Sequence, residues 1–264
     1  MLRSEKELEG LPIQATDGAL GKVKDTYLDD EHWVLRYVIV DTGKWLESRE
    51  VLIAAAQLRR GPADPAALGV AATMEQVRDS PPADAARPVS RQQEQRLHDH
   101  FGWPYYWVSA GVGGIPLAVP PVSPAMPGPS PVAVEAPSPD NTAARPGDPR
   151  DREDDPHLRS AHEIRGANLA AHDGTLGHVE DLMFDERSWA VRYLVVDTRN
   201  WWPGKKVLLS PRWVTRVSWP EREVAVALGR DEIKGAPEYE PGHSPTEAYL
   251  AALDAYYRHL HPAP

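Results

Sequence analysis

The feature that most constrains this chain is an internal repeat. Of its 264 residues, positions 2–58 align without a gap on positions 158–214, and 22 of these 57 pairs are identical. The identical pairs include Trp33 and Trp189, which belong to a residue type that seldom recurs by chance. A long repeat of this kind indicates one folding unit that is present twice. The sequence therefore predicts two copies of one small domain, related by duplication.

A proline-rich segment separates the two copies. Residues 104–156 hold 13 of the 27 prolines of the chain. Proline lacks a backbone donor and has a fixed φ, so such a stretch forms neither a helix nor the interior of a sheet. We therefore predict a first domain over residues 1–103, an extended or disordered linker over 104–157, and a second domain over 158–264.

Each copy has the pattern of several short strands joined by tight turns. Each copy opens with a capping-box spacing, Ser4 to Glu7 and Ser160 to Glu163, which predicts the start of a short helix. In the first copy, Asp17-Gly18 is a hairpin dipeptide, and residues 33–40 are apolar on both faces, as expected of a central strand. Such a pattern indicates a small closed or half-closed barrel. The predicted fold class is mainly β, with two small barrels and short flanking α-helices. The longer helices are expected at 90–101 and from 244 or 245 to about 260.

Eight residues recur at the turns and strand ends of both copies, and we expect them to have structural roles. The glycines do not form a phosphate-binding loop, because no glycine-rich turn opens a helix here. The aspartates that follow the central strands are expected to bond to turn backbone. The aspartates on the preceding strands are expected to be exposed partners of Arg36 and Arg192, and they are Asp25, Asp29, Asp181 and Asp185. The recurring set is Asp17, Gly18, Gly21, Asp41, Asp173, Gly174, Gly177 and Asp197.

The residue patterns that catalysis needs are sparse in this chain. It has no cysteine, which excludes thiol chemistry, disulfides and thiolate metal sites. No serine lies in a nucleophile elbow. His98 and His100 are two residues apart on a predicted helix and point away from each other, which argues against a shared metal ion. We expect no enzyme activity, no cofactor and no metal site.

The best candidates for an interaction site are aromatic and basic residues near the strand ends. Aromatic side chains in loops are favoured at interfaces, although these could instead cap the barrel or seal one copy against the other. The net charge of −10 lies outside residues 2–60 and 158–219, which together hold equal numbers of acidic and basic residues. The candidate interaction rim consists of Trp45, Trp201, Trp202, Lys205, Lys206 and Trp213.

The second copy carries the pattern DGxxLGxVxD, then WxxRYxVVDTxxW, then KVLL, which begin at Asp173, Trp189 and Lys206. The first copy matches these motifs, except that Glu50 replaces the lysine. The pattern resembles the PRC-barrel family, and this resemblance implies two PRC-type β-barrels. That family includes the cytoplasmic domain of the photosynthetic reaction-centre H subunit and a domain of a 16S rRNA maturation factor. Its members resemble assembly and adaptor modules.

Three functional hypotheses follow from this resemblance and from the residues. The first is a non-enzymatic, cytoplasmic, bacterial adaptor or scaffold that binds other proteins through tandem barrels, with a stress-related role as one option. The second is a membrane-associated accessory to electron transfer, similar to the reaction-centre H subunit. The third is an RNA-binding module in ribosome maturation. The protein partner is unknown.

We also expect the two barrels to pack against each other within the chain, because small open barrels need their faces covered. Peripheral membrane association and a ribosomal RNA contact through the rim are the two further options for a partner surface.

Overall fold

The computed structural model describes residues 2–60, 67–82, 89–107, 158–198 and 205–260. Of the predicted linker, only residues 104–107 belong to this described part. The fold is mainly β, with two sheets of seven strands each. We call residues 2–107 the first half and residues 158–260 the second half.

The first half contributes seven strands. In chain order they are β1 (Leu2–Ser4), β2 (Pro12–Gln14), β3 (Ala19–Asp29), β4 (Val34–Asp41), β5 (Glu50–Ala54), β6 (Leu58–Arg60) and β7 (Leu68–Val70). Strands β2 to β7 pair in the order β5-β4-β3-β2-β7-β6. All neighbours are antiparallel except β2 and β7, which are parallel. The sheet is therefore built on the long β3–β4 hairpin.

The second half repeats this arrangement. Its strands are β8 (Leu158–Ser160), β9 (Asn168–Ala171), β10 (Gly174–Asp185), β11 (Val191–Asp197), β12 (Lys206–Leu209), β13 (Val214–Ser218) and β14 (Glu223–Val226). Strands β9 to β14 pair in the order β12-β11-β10-β9-β14-β13, again with one parallel pair, β9 and β14. Each strand thus has its counterpart in the first sheet.

The two described sheets are open, which differs from the closed form of the predicted barrel. Strands β5 and β6 are not paired with each other, and neither are β12 and β13. A 3₁₀ turn lies between the strands of each pair, Ala55–Gln57 in the first half and Pro211–Trp213 in the second. The turn redirects the chain, so the two strands do not pair. The path of paired strands therefore ends at β5 and β6 in the first sheet and at β12 and β13 in the second.

The short first strand of each half belongs to the sheet of the other half. Strand β1 pairs antiparallel with β10, with Leu2 opposite Asp185. Strand β8 pairs in the same way with β3, with Leu158 opposite Asp29. Sequence patterns suggested a helix start at Ser4 but no strand before it, because the pairing partner of that strand lies in the distant half of the chain. The halves are joined by this reciprocal exchange.

The described residues form six α-helices beside the sheets: α1 (Glu5–Leu8), α2 (Met74–Arg78), α3 (Arg91–Phe101), α4 (Ala161–Ile164), α5 (Arg230–Gly235) and α6 (Glu247–Leu260). The predicted capping box forms at α1, where Ser4 accepts from the Glu7 backbone and Glu7 accepts from the Ser4 backbone. At α4 the Ser160 hydroxyl instead accepts from the His162 backbone. None of the helices in the described ranges is long and apolar enough to span a bilayer.

Strand β4 is buried on both faces, as its apolar sequence predicts. Leu35, Val38 and Val40 face the main core, which continues through both halves. Tyr37 and Ile39 face a second cluster that α3 covers with Leu97. The corresponding face of the second sheet is covered by α6, whose Tyr257 hydroxyl donates to the Leu208 carbonyl.

Candidate interaction site

The exchanged strands bring polar groups of the two halves together. The Ser160 hydroxyl donates to Asp25 Oδ2 at 2.7 Å. In the counterpart position, Asp181 accepts from the Ser4 hydroxyl and from the Lys6 backbone. Burial raises the pKa of Asp181, and these hydrogen bonds only partly offset that effect. The last aspartate of each DGxxLGxVxD motif, Asp25 or Asp181, therefore bonds to the start of the other half. The prediction that these two aspartates pair with Arg36 and Arg192 is wrong, because their partners come from the exchanged segment.

One ion pair at this junction has no symmetric counterpart. Arg165 of the second half pairs with Glu5 and, at 3.3 Å, with Glu9 of the first half. Glu5 is almost fully buried, and burial raises its pKa although Arg165 acts in the opposite direction. Glu9 and Arg165 occupy equivalent repeat positions, so two first halves placed together would bring only acids to this point. The charges therefore favour pairing of unlike halves.

Two tryptophans mark the centre of the junction. Trp33 and Trp189 both have a positive φ, at 53° and 57°, which is unusual for a bulky residue. The Leu35 backbone N–H donates to the Trp189 carbonyl at 2.9 Å, and the Val191 N–H donates to the Trp33 carbonyl at 2.7 Å. These reciprocal bonds hold both strained turns in place.

A cleft lies on each side of this junction, and the two clefts are built from equivalent positions. Each combines a turn of one half with the central strand and the 3₁₀ turn of the other half. The shared positions are His32 and Ser188, Trp33 and Trp189, Leu35 and Val191, Arg36 and Arg192, Ala54 and Ser210, and Ala56 and Arg212. We call the cleft at Arg36 the covered cleft and the cleft at Arg192 the open cleft.

The covered cleft has a volume of about 260 Å³ and is roofed by the segment after α3. Beneath this roof, Glu94 accepts from the hydroxyls of Tyr37 at 2.8 Å and Tyr106 at 2.6 Å. His98 Nε2 lies 2.9 Å from the Tyr37 hydroxyl, and its Nδ1 lies 3.0 Å from the Pro104 carbonyl. Burial lowers the pKa of His98 and raises the pKa of both tyrosines. These groups form a closed, buried network.

Arg36 connects the network to the junction. Its guanidinium donates to Asp29 Oδ2 at 2.7 and 3.1 Å, and the ring of Tyr106 lies 3.9 Å above it. Burial raises the pKa of Asp29, but the His32 backbone and Arg36 outweigh burial and leave that pKa below its usual value. Arg36 thus has an acid at its edge and an aromatic ring on its face.

The open cleft has a volume of about 430 Å³ and a polar lining. Arg192 lies 3.6 Å from Asp185, and its side chain is 55% exposed, against 18% for Arg36. Among the described residues, no aromatic ring lies on the Arg192 guanidinium. Arg212 lies against the face of Trp213. The open cleft therefore presents two arginines at its mouth.

The predicted interaction rim is mostly engaged in contacts within the second half. Lys205 Nζ donates to the Ala236 carbonyl at 2.6 Å, and Lys206 Nζ pairs with Glu180 at 2.6 Å. Trp213 is half-buried against Tyr257. Trp45, in the first half, donates its ring N–H to the Leu20 carbonyl at 2.6 Å. Trp201 and Trp202 lie outside the described residues.

The recurring turn residues lie where structural roles were predicted. Asp17 accepts from the Met74 backbone at 2.8 Å, and Asp173 accepts from the Arg230 backbone at 2.9 Å. Each aspartate therefore bonds to the first residue of a short helix, α2 or α5. Gly174 has a positive φ, and Gly18 packs against the Met74 side chain. Asp41 accepts from the Gly43 backbone, whereas Asp197 is buried at the end of β11.

Gly21 and Gly177 answer a steric requirement. Both have a positive φ, and a Cβ would lie 2.0 Å from the Asp41 carbonyl oxygen in the first half and 1.8 Å from the Asp197 carbonyl oxygen in the second. Any side chain at these positions would separate the hairpin strands at their ends.

Sequence reasoning missed the polar network of the covered cleft. Glu94 and His98 are four residues apart on a predicted helix, so they share a face and could have been expected to point at the sheet together. The sequence spacing drew attention to His98 and His100 as a metal-binding pair, but the His100 ring bonds to the Gln76 carbonyl. In the described residues, no cluster of three acidic, histidine or cysteine side chains is arranged to hold a metal ion.

Comparison with known families agrees with the two sheets. The family model for the PRC-barrel domain matches residues 4–60 and residues 156–231, one segment in each half and together about half of the chain. A comparison with curated proteins returns no match. The matched segments include both turns of the junction and the central strands that carry Arg36 and Arg192. The chain belongs to the PRC-barrel domain family.

Proposed function

We propose that this protein is a non-enzymatic, cytoplasmic adaptor that binds a partner protein at the open cleft. The observation that carries the proposal is the difference between two equivalent clefts. One is roofed by the chain's own residues 104–106, with the Tyr106 ring on Arg36, and the other exposes Arg192 and Arg212. Surface loops held by a rigid scaffold are common binding sites, and arginine is enriched at interfaces.

The buried network of the covered cleft supports a structural use of its titratable groups. The Tyr37 hydroxyl hydrogen-bonds to both Glu94 and His98, and the Tyr106 hydroxyl donates to the same Glu94 carboxylate. A general acid or base must reach a substrate proton, which such mutual pairing hinders. This arrangement favours a scaffold over an enzyme.

The described part of the basic rim gives less support to an RNA partner. Lys205 and Lys206 are engaged by the Ala236 carbonyl and by Glu180. Phosphate binding would have to displace these partners, and binding by free surface cations would show a steep salt dependence. The open cleft offers the stronger case for a protein partner.

Site-specific photocrosslinking in cells tests this proposal. A benzophenone side chain is placed at Glu31, an exposed residue in the lining of the open cleft. A matched variant carries it at Arg78, an exposed residue of α2 that lines neither cleft. We expect a protein adduct from position 31 that position 78 does not give. The purified partner should bind the native chain and lose affinity for Arg192→Ala. Equal adducts at both positions, or none at 31, would contradict the proposal.

A further inference from the structure

The covered cleft shows how an aromatic residue can cover the arginine of such a cleft. In the covered cleft, the Tyr106 ring lies 3.9 Å above the Arg36 guanidinium and its hydroxyl bonds to Glu94 at 2.6 Å. The ring therefore satisfies the face of the arginine, and a carboxylate satisfies the polar end of the ring. Arginine on an aromatic face is a favourable contact, more so when water is excluded.

The open cleft has the same arginine, but no ring from the described ranges lies on its guanidinium. Arg192 is repeat-equivalent to Arg36, yet its distance to the paired aspartate is 3.6 Å in place of 2.7 Å. It is also about three times as exposed, because α6 covers the neighbouring sheet face with Tyr257 and Leu253 and leaves the arginine uncovered. The face of this guanidinium is therefore available for an aromatic side chain.

The charges at the open cleft favour an acidic group beside that ring. Two arginines and His32 line the cleft region, against Glu31 as the acid in its lining and Asp185 beside Arg192. His32 already contacts Asp29 at 3.1 Å. Among the described residues, no carboxylate forms a salt bridge with Arg212, which instead lies over Trp213. A carboxylate from outside would therefore pair with Arg212.

We propose that the open cleft binds a partner segment in which a tyrosine or another aromatic residue lies beside an acidic residue. The ring lies on Arg192 as Tyr106 lies on Arg36, and the acidic side chain pairs with Arg212. This inference rests on the proposed adaptor function, because it specifies the chemistry of the partner at that site. A planar guanidinium that can stack and bond at its edge discriminates this segment from a purely apolar one.

A labelled peptide tests the inference on the full chain. The probe has the sequence EWPYYE, which places acids beside the aromatic motif found at residues 103–106, and binding is followed by fluorescence anisotropy. We expect saturable binding that weakens about tenfold or more in Arg192→Ala, since each tenfold loss corresponds to about 1.4 kcal/mol. Arg192→Lys should also weaken binding, because an ammonium does not stack as a guanidinium does. Arg78→Ala is the matched control and should bind normally.

Two further peptides separate ring recognition from charge recognition. The peptide ELPLLE, which has no aromatic ring, should bind more weakly to the native chain, and QWPYYQ should bind more weakly but lose little more on Arg212→Ala. Equal affinity of EWPYYE for the native chain and for Arg192→Ala would overturn the inference, as would tighter binding of a uridine oligonucleotide at the same cleft. Circular dichroism of each variant confirms that the fold is retained.

The outcome for the peptide and the outcome for the crosslink can differ. A partner captured at position 31 without any effect of Arg192→Ala on the peptide keeps the adaptor proposal and rejects this partner chemistry. Peptide binding that depends on Arg192, with no adduct in cells, supports the cleft chemistry and rejects the adaptor proposal.

Discussion

The two halves of this protein have the same strand order but cover their sheets differently. In the first half, α3 and residues 103–107 bury an interlocked set of polar side chains around Glu94. In the second half, α6 covers the equivalent face mainly with apolar contacts from Leu253 and Tyr257. The comparison teaches that one sheet can accept either kind of cover. The helix and the residues that follow it determine whether the neighbouring cleft is covered or open.

An ion pair near the sheet edge also differs between the two halves, because its positive and negative residues have changed places. Lys24 pairs with Glu50 in the first half, whereas Glu180 pairs with Lys206 in the second. The four positions are repeat-equivalent, so both signs have been reversed together. The departure of Glu50 from the lysine of the motif is thereby explained, because its partner has changed as well.

The largest expected effect on the free energy of unfolding is at Trp189 in the covered cleft, compared with Trp33 at the open cleft. Trp189 is 6% exposed in the wall of the covered cleft, whereas Trp33 is only half-buried at the open cleft. Trp189→Ala should lower the free energy of unfolding by about 3–5 kcal/mol through the cavity it leaves. Trp33→Ala should cost less, although both residues share the same backbone conformation. Urea unfolding measures both, and equal losses would contradict the distinction between the clefts.

Removal of the carboxylate charge in the covered cleft should have the next largest effect. Glu94 is fully buried and pairs with Arg91 at 2.7 Å. Glu94→Gln leaves that arginine without its counterion and should cost about 1–3 kcal/mol in urea unfolding. The matched control is Glu247→Gln in the exposed first turn of α6, which should change stability by less than about 0.5 kcal/mol. A neutral Glu94→Gln variant would show that the polar network does not stabilise its half.

The pH dependence of stability should reflect the covered cleft through His98. Because burial lowers the pKa of His98, the unfolded chain binds a proton before the folded chain does. Stability should therefore fall as the pH decreases through the unfolded value of about 6.5 and continue to fall down to the folded pKa. Thermal unfolding between pH 8 and about pH 5 tests this. The His98→Gln variant should show a flatter profile, and an unchanged profile would contradict the assignment.

The smallest effect is expected from the reversed ion pair. Lys206→Glu places two acids where Lys206 and Glu180 now pair, and should cost about 1 kcal/mol or less because both side chains are partly exposed. Adding Glu180→Lys restores an opposite-charge pair but also removes the Glu180–Lys6 pair at 3.2 Å, so it should restore only part of the loss. A double-mutant cycle in urea measures the coupling, and additive losses would mean that the pair contributes nothing.

Much of the fold could be predicted from the repeat and from the strand patterns. Residues 33–40 predicted a strand buried on both faces, and β4 is buried in that way because its two sides face different clusters. Asp29 was expected to pair with Arg36, and it does so at 2.7 Å. These predictions succeeded because each depends on residues within one hairpin.

The candidate site was much less predictable. Lys206 was expected to form part of a basic rim, but its charge is engaged by Glu180, which lies two strands away in the same sheet. The role of Glu94 could not be predicted, because its partners Tyr37 and Tyr106 come from a strand and from the chain beyond α3. Contacts between such separated elements leave no periodic signal in one sequence.

The sequence by itself determined the mainly β class, the positions of most strands and the family, because hydrophobic alternation and turn residues act over short distances. The tertiary structure decided that β1 and β8 exchange sheets, that Arg165 pairs with Glu5, and that one of two equivalent clefts stays open. Each of these outcomes depends on which distant segments meet. Local patterns specify the two sheets, whereas their association and the helices that cover them determine the exposed surface.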